Sequence, residues 1–175
     1  TDDGSTTFTD SSPSEHTISS GGDPIHETDQ QRFGKTSIHF DGNDYLTIPD
    51  SSDWNFGTGN FTIDGWFYPT NASSSTETSI LHTHTADVNG VLLIYKPSLD
   101  RIEFDIGSGS WTSSGNYDSC PHNSWYHFAL VRNGSAVTLY VDGISRATAT
   151  DSSTPSKSSV TIGGSSHFAE FEGYL

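Results

Sequence analysis

The sequence predicts an all-β protein, a two-sheet antiparallel sandwich around one core. Three observations carry that expectation. Ser, Thr, Gly, Asn and Asp fill much of a 175-residue chain that is only 31% hydrophobic and 12% aromatic, which favours short strands joined by polar turns. Apolar residues recur at every second position in short runs, each bounded by Gly, Pro, Asn or Asp. No helical pattern separates these runs, so nine or more strands follow one another without the crossovers that a parallel sheet needs.

The elements follow in order. Residues 1–36 form a polar arm, mostly coil, with Phe8, Ile18, Ile25 and Phe33 as isolated anchors, and the sandwich proper covers 37–175. Ile38 and Phe40, then Leu46 and Ile48, then Phe61, Ile63, Gly65 and Phe67 define strands with one buried face. Further strands are expected over 79–85, 90–96 and 101–106; in the last, Ile102, Phe104 and Ile106 oppose Arg101, Glu103 and Asp105. Asn133-Gly134 and Asp142-Gly143 are dipeptides that accept the positive φ of tight hairpins, which makes residues 125–149 a three-stranded meander. A strand over 159–162 precedes Gly163-Gly164, and the Gly/Ser-rich stretch 107–119 reads as a loop.

Composition also excludes function classes. A formal charge of −15, from 22 acidic residues against 7 Lys plus Arg, repels nucleic acid and anionic lipid surfaces. No run of about 18 apolar residues exists to cross a membrane as a helix, and Thr1 to Ser5 carry no secretion-signal pattern. Cys120 is alone, so no internal disulfide forms. Sequons at Asn60, Asn71 and Asn133 are compatible with an extracellular address, but arise readily in a Ser/Thr-rich chain. No Gly-x-Ser-x-Gly elbow or Gly-rich phosphate cradle is present.

The phrases FDGNDYLTIPDSSDWNFGTGNFTIDGWFYP, SWYHFALVRNGSAVTLYVDGI, VTIGGSS and FEGYL, in this order, resemble the laminin-G-like, concanavalin A-like lectin/glucanase jelly rolls over roughly residues 5–175. The wording is most similar to domains of large secreted microbial proteins and of bacteriophage structural proteins. Family members carry one further strand before Thr1 and one after Leu175, so the resemblance implies that a longer polypeptide or a neighbouring chain supplies both.

The fold also hosts glycoside hydrolases with a Glu-x-Asp-x-x-Glu strand. The nearest approach is Glu103-Phe104-Asp105-Ile106-Gly107-Ser108, where Ser108 replaces the proton donor and Arg101 on the same face favours an ionised Glu103. His82 and His84 share a strand face without a placed third ligand, and His127 is expected to pack. The resemblance also implies one structural calcium ion, for which Asp41, Asn43 and Asp44 are the candidate hard-oxygen ligands alongside Asp2 and Asp3. For a sugar, Trp111, with Asn116 and Tyr117, is the candidate ligand-binding set, because a loop aromatic is harder to explain by core packing than Trp66 or Trp125 on strands. Packing under the sheet rim is the alternative role for Trp111, and Trp54 is expected to cap the core.

The expectation is therefore a non-catalytic recognition module on an extracellular, cell or virion surface, binding glycan. The alternative is a building block or decoration of a phage particle, fibre or filament, holding neighbouring chains through its sheet edges, with a degenerate glycoside hydrolase as a minor third reading. In each case the partners are glycan or protein, not nucleic acid or bilayer.

Overall fold

The computed structural model describes residues 2–70, 76–83, 89–108, 110–155, 159–164 and 169–175, with the side chains of 111–113 left aside. Two antiparallel sheets face each other, as the alternation predicts. The strands are β1 (Ser19–Gly21), β2 (Ile25–Glu27), β3 (Ser37–Asp41), β4 (Tyr45–Ile48), β5 (Phe61–Pro69), β6 (Thr78–His82), β7 (Asn89–Lys96) and β8 (Arg101–Ser108). They continue with β9 (Trp111–Asp118), β10 (Tyr126–Asn133), β11 (Ala136–Val141), β12 (Ile144–Thr150), β13 (Val160–Ile162), β14 (Ala169–Glu170) and β15 (Glu172–Tyr174). Among the described residues the only helical pieces are two single 3-10 turns, Ser52–Trp54 and Pro97–Leu99.

The first sheet runs β1-β4-β13-β6-β7-β8-β9, with β14 pairing parallel to β6; the second runs β12-β11-β10-β5-β15-β3-β2. Neighbours in a sheet are thus often far apart in sequence, as a sandwich with strands crossing between its layers requires. The core fills the space between the layers with Phe40, Phe67, Leu93, Phe104, Leu130 and Phe171, all fully buried. These come from alternate positions of their strands. In β5, Phe61, Ile63, Gly65 and Phe67 point inward, which leaves Asp64, Trp66 and Tyr68 on the outer face.

The N-terminal arm joins both layers, since β1 pairs with β4 in one sheet and β2 with β3 in the other. Phe8 and Ile18 pack on the core, and His16 sits 3.0 Å from Asp10 and 3.3 Å from Asp53. The ring of His16 also lies 5.0 Å from that of Trp54, so Trp54 clamps the arm instead of closing the core.

Two local expectations are corrected. The stretch 107–119 is not a loop: residues 101–108 and 111–118 pair as adjacent strands. Small residues suit that edge strand because Phe104 lies beneath it; a Cβ on Gly115 would come 2.7 Å from the Phe104 ring and 3.0 Å from Ala147. Burial and pairing override the low strand preference of Ser, Gly and Asn. The first hairpin turn is shifted by one residue, since Asn133 still pairs with Ala136 and the turn pair is Gly134-Ser135, with Gly134 at φ 61°. Asp142-Gly143 does form the second turn, at φ 51° and 74°, the both-positive pattern of a type I′ hairpin.

Candidate functional site

The outer face of the second sheet carries the aromatic surface. β10 buries Phe128 and Leu130, so His127 projects outward and meets Trp66, its direct cross-strand partner on β5, at a ring separation of 5.2 Å. Trp125 immediately precedes β10 and packs 5.4 Å from Tyr68, which in turn contacts Tyr174 at 5.8 Å. From the β2–β3 connection, Arg32 lays its guanidinium 4.3 Å over Trp66 and 5.0 Å over Phe33, and Phe33 meets Trp66 edge-on. The second hairpin closes the other side: Asp142 N–H donates to the His127 carbonyl at 2.9 Å, and Asp142 Oδ1 accepts from His127 N–H at 3.0 Å.

Together Arg32, Trp66, Trp125, His127 and Asp142 line an open depression of about 600 Å³. Asp64 stands next to it, with an oxygen 3.4 Å from His127 Nε2. Apolar ring faces beside a few convergent polar groups form the chemistry that binds a sugar, whose C–H face stacks while its hydroxyls take hydrogen bonds.

The sequence-predicted ligand set is not assembled in this way. Asn116 and Tyr117 lie on opposite faces of β9, with Asn116 exposed beside Glu103 while Tyr117 packs on the core beneath the Arg146 guanidinium at 4.4 Å. The Trp111 side chain lies outside the described residues. The signal for the depression was nevertheless in the alternation: a strand that buries Phe61, Ile63, Gly65 and Phe67 must present Trp66 to the outside.

Asp41 and Asp44 do come together, joined by Asp23 from the arm, with carboxylate oxygens of all three within 4.8 Å of one another. Asp44 is buried; its Oδ1 accepts from Asp23 N–H at 2.7 Å and its Oδ2 from Asp41 N–H at 3.0 Å. Burial raises the Asp44 carboxyl above its ordinary range, and the Asp41 charge adds to this. Asn43 donates its N–H to Asp41 Oδ1 at 3.1 Å, and its own carbonyl faces Gly22. An all-oxygen donor set of three carboxylates fits calcium in chemistry and in spacing. Asp2 and Asp3 are not in this group; Asp3 accepts from Thr28 N–H at 3.0 Å.

On the outer face of the first sheet, Glu103 pairs with Lys96 at 3.1 Å and Arg101 at 3.8 Å, and Arg101 is held by Asp118 at 2.8 Å. Burial lifts the Asp105 carboxyl to about 6, with the Glu103 charge a second cause. Ser108 is exposed at the end of β8. His82 is buried on β6, and His84 lies outside the described residues.

The two-layer antiparallel sandwich defines the fold class, and sequence comparison gives the family. The chain belongs to the laminin G family of the concanavalin A-like lectin/glucanase superfamily, whose model matches residues 40–175. No curated protein sequence matches it. Among solved structures it is similar to the ligand-binding domain of botulinum neurotoxin serotype D in complex with N-acetylneuraminic acid: TM-score 0.72, 13% identity, 99% of this chain and 46% of that one. It is also similar to domain 4 of AbnA, an extracellular arabinanase of Geobacillus stearothermophilus, in complex with arabinotriose: TM-score 0.60, 18% identity, 91% and 78% covered. Domains LG4-5 of mouse laminin alpha1 match with TM-score 0.62 and 17% identity, covering 79% and 38%. The chain thus spans less than half the length of the neurotoxin and laminin structures, and at these identities the likeness is one of fold.

Proposed function

We propose that this domain is a non-catalytic, extracellular recognition module that binds glycan in the depression between Trp66 and Trp125. The observation that carries the reading is the depression itself, where two tryptophans, a histidine, an arginine and an aspartate converge on a surface open to solvent. The named ligands of two fold neighbours, N-acetylneuraminic acid and arabinotriose, support it as analogy. Catalysis is not part of the reading, because Glu103 is tied to two cations and the position of a third acid is Ser108. In the same reading a calcium ion is structural, held by Asp23, Asp41 and Asp44 to fasten the arm to the β3–β4 turn.

The test is a glycan array followed by calorimetry on the strongest hits. Trp125→Ala should weaken binding at least tenfold while the protein still folds and melts cooperatively, as expected for a stacking platform that also packs on Tyr68. A ligand that binds the Trp125→Ala protein undiminished would remove the depression from the reading.

A second reading, a structural unit of a particle or filament, draws on β12. That strand has β11 on one side and no strand on the other among the described residues, and Ile144 at its start is 53% exposed. Imaging of the native assembly tests it: a chain paired along β12 supports the structural role, and a solvated edge argues against it.

A further inference from the structure

The depression has a chemical bias that its aromatic lining alone does not explain. Arg32 is one of only 7 Lys plus Arg residues in a chain of formal charge −15, yet it stands at the site. Its guanidinium lies over the Trp66 ring, 4.3 Å from its centroid, and among the described residues it makes no hydrogen bond or ion pair; its contacts are with the rings of Trp66 and Phe33. Three other cations are ion-paired, whereas Arg146 also lies over an aromatic ring, that of Tyr117. Arg101 is engaged by Asp118 and Glu103, Arg132 by Asp151, and Lys96 by Glu77 and Glu103. A guanidinium stacked on an indole is held in plane, and all its donors lie on the edge, where a planar anion can take two of them at once.

We infer that Arg32 makes the depression a receptor for a saccharide unit carrying a single carboxylate, a uronic-acid-type sugar, with Trp125 as the stacking surface and Arg32 as the carboxylate clamp. This rests on the glycan reading and narrows it. A carboxylate suits the site better than a densely sulfated chain. Asp142 lines the same depression and Asp64 stands beside it, and a polyanion would add its repulsion from the rest of the molecule to theirs. One charge, neutralised where it lands, avoids most of that repulsion. Asp142 is left to accept from sugar hydroxyls, since a carboxylate already holding one N–H keeps further acceptor capacity.

The experiment compares a uronic-acid trisaccharide, its methyl ester and a sulfated trisaccharide by calorimetry, on the wild type and on Arg32→Gln, with melting curves as the folding control. The expected result is an acid bound about tenfold tighter than the ester, a preference that shrinks with added salt. In Arg32→Gln the acid should lose its advantage and bind no tighter than the ester. If acid and ester bind alike, or if Arg32→Gln weakens both equally, the clamp is wrong and the glycan reading stands. A preference for the sulfated sugar also overturns the clamp as stated. If no saccharide in the set or on the array binds the folded wild type, both readings fall together.

Discussion

Gly173 shows how closely single positions are determined. It sits in β15 at φ 145°, and a Cβ there would lie 2.1 Å from the Tyr68 carbonyl oxygen, on the backbone of the adjacent strand. Gly173→Ala should therefore cost roughly 3 kcal/mol or more in urea denaturation, whereas Gly134→Ala, strained in φ but with nothing within 4 Å, should cost about 1 kcal/mol. Equal losses would contradict this. Asp44 supplies a second check at this scale. Calcium at about 1 mM should raise the melting temperature, EDTA should reverse the gain, and Asp44→Asn should abolish it; a melting curve indifferent to both additions would count against the ion. The sequence showed Asp41 and Asp44 as turn residues, but Asp23 lies 18 positions before Asp41 and joins them only through the pairing of the arm. No local pattern marks such a partner.

Among the elements, the paired strands were largely legible, because alternation and turn residues are local signals that the register then obeys. Strand β9 was not, since Gly115 is required by the Phe104 ring beneath it and runs against strand preference. The outward direction of Trp66, by contrast, is implied by the alternation of β5. On the outer face of β8, Asp105 titrates near 6 against an ordinary 3.8. Between about pH 4 and pH 6 the folded chain therefore holds a proton that the unfolded chain has lost, and stability from this group falls as pH rises through that window. Asp105→Asn should gain on the wild type by roughly 1–2 kcal/mol from pH 4 to pH 7, a figure reduced for the partial exposure of the group; a constant difference across the window would refute the assignment. At the other end of the sandwich, inward-facing Arg132 pairs with buried Asp151 at 3.2 Å and donates to the carbonyls of Gly57, Gly134 and Ser153. Arg132→Met leaves Asp151 buried without its cation and should cost about 3–5 kcal/mol.

The molecule as a whole carries a large excess of negative charge. With 22 acidic residues against 7 Lys plus Arg, mutual repulsion favours expansion. Raising monovalent salt from about 10 mM to about 150 mM shortens the screening length from about 30 Å to about 8 Å, so the melting temperature should climb over that range. A fall would mean that attractive pairs, such as those around Lys96 and Arg101, outweigh the net repulsion. Fold class was readable at this scale because it is a sum over many short, consistent signals. The position of β15 has a consequence for biosynthesis. This strand sits between β3 and β5 and is the link that unites β2 and β3 with the β5–β10–β11–β12 ribbon. On a translating ribosome the two parts of that layer must wait, with facing edges open, until residue 174 has cleared the exit tunnel. The nascent chain is therefore most exposed to chaperones and to wrong strand partners just before that layer becomes continuous.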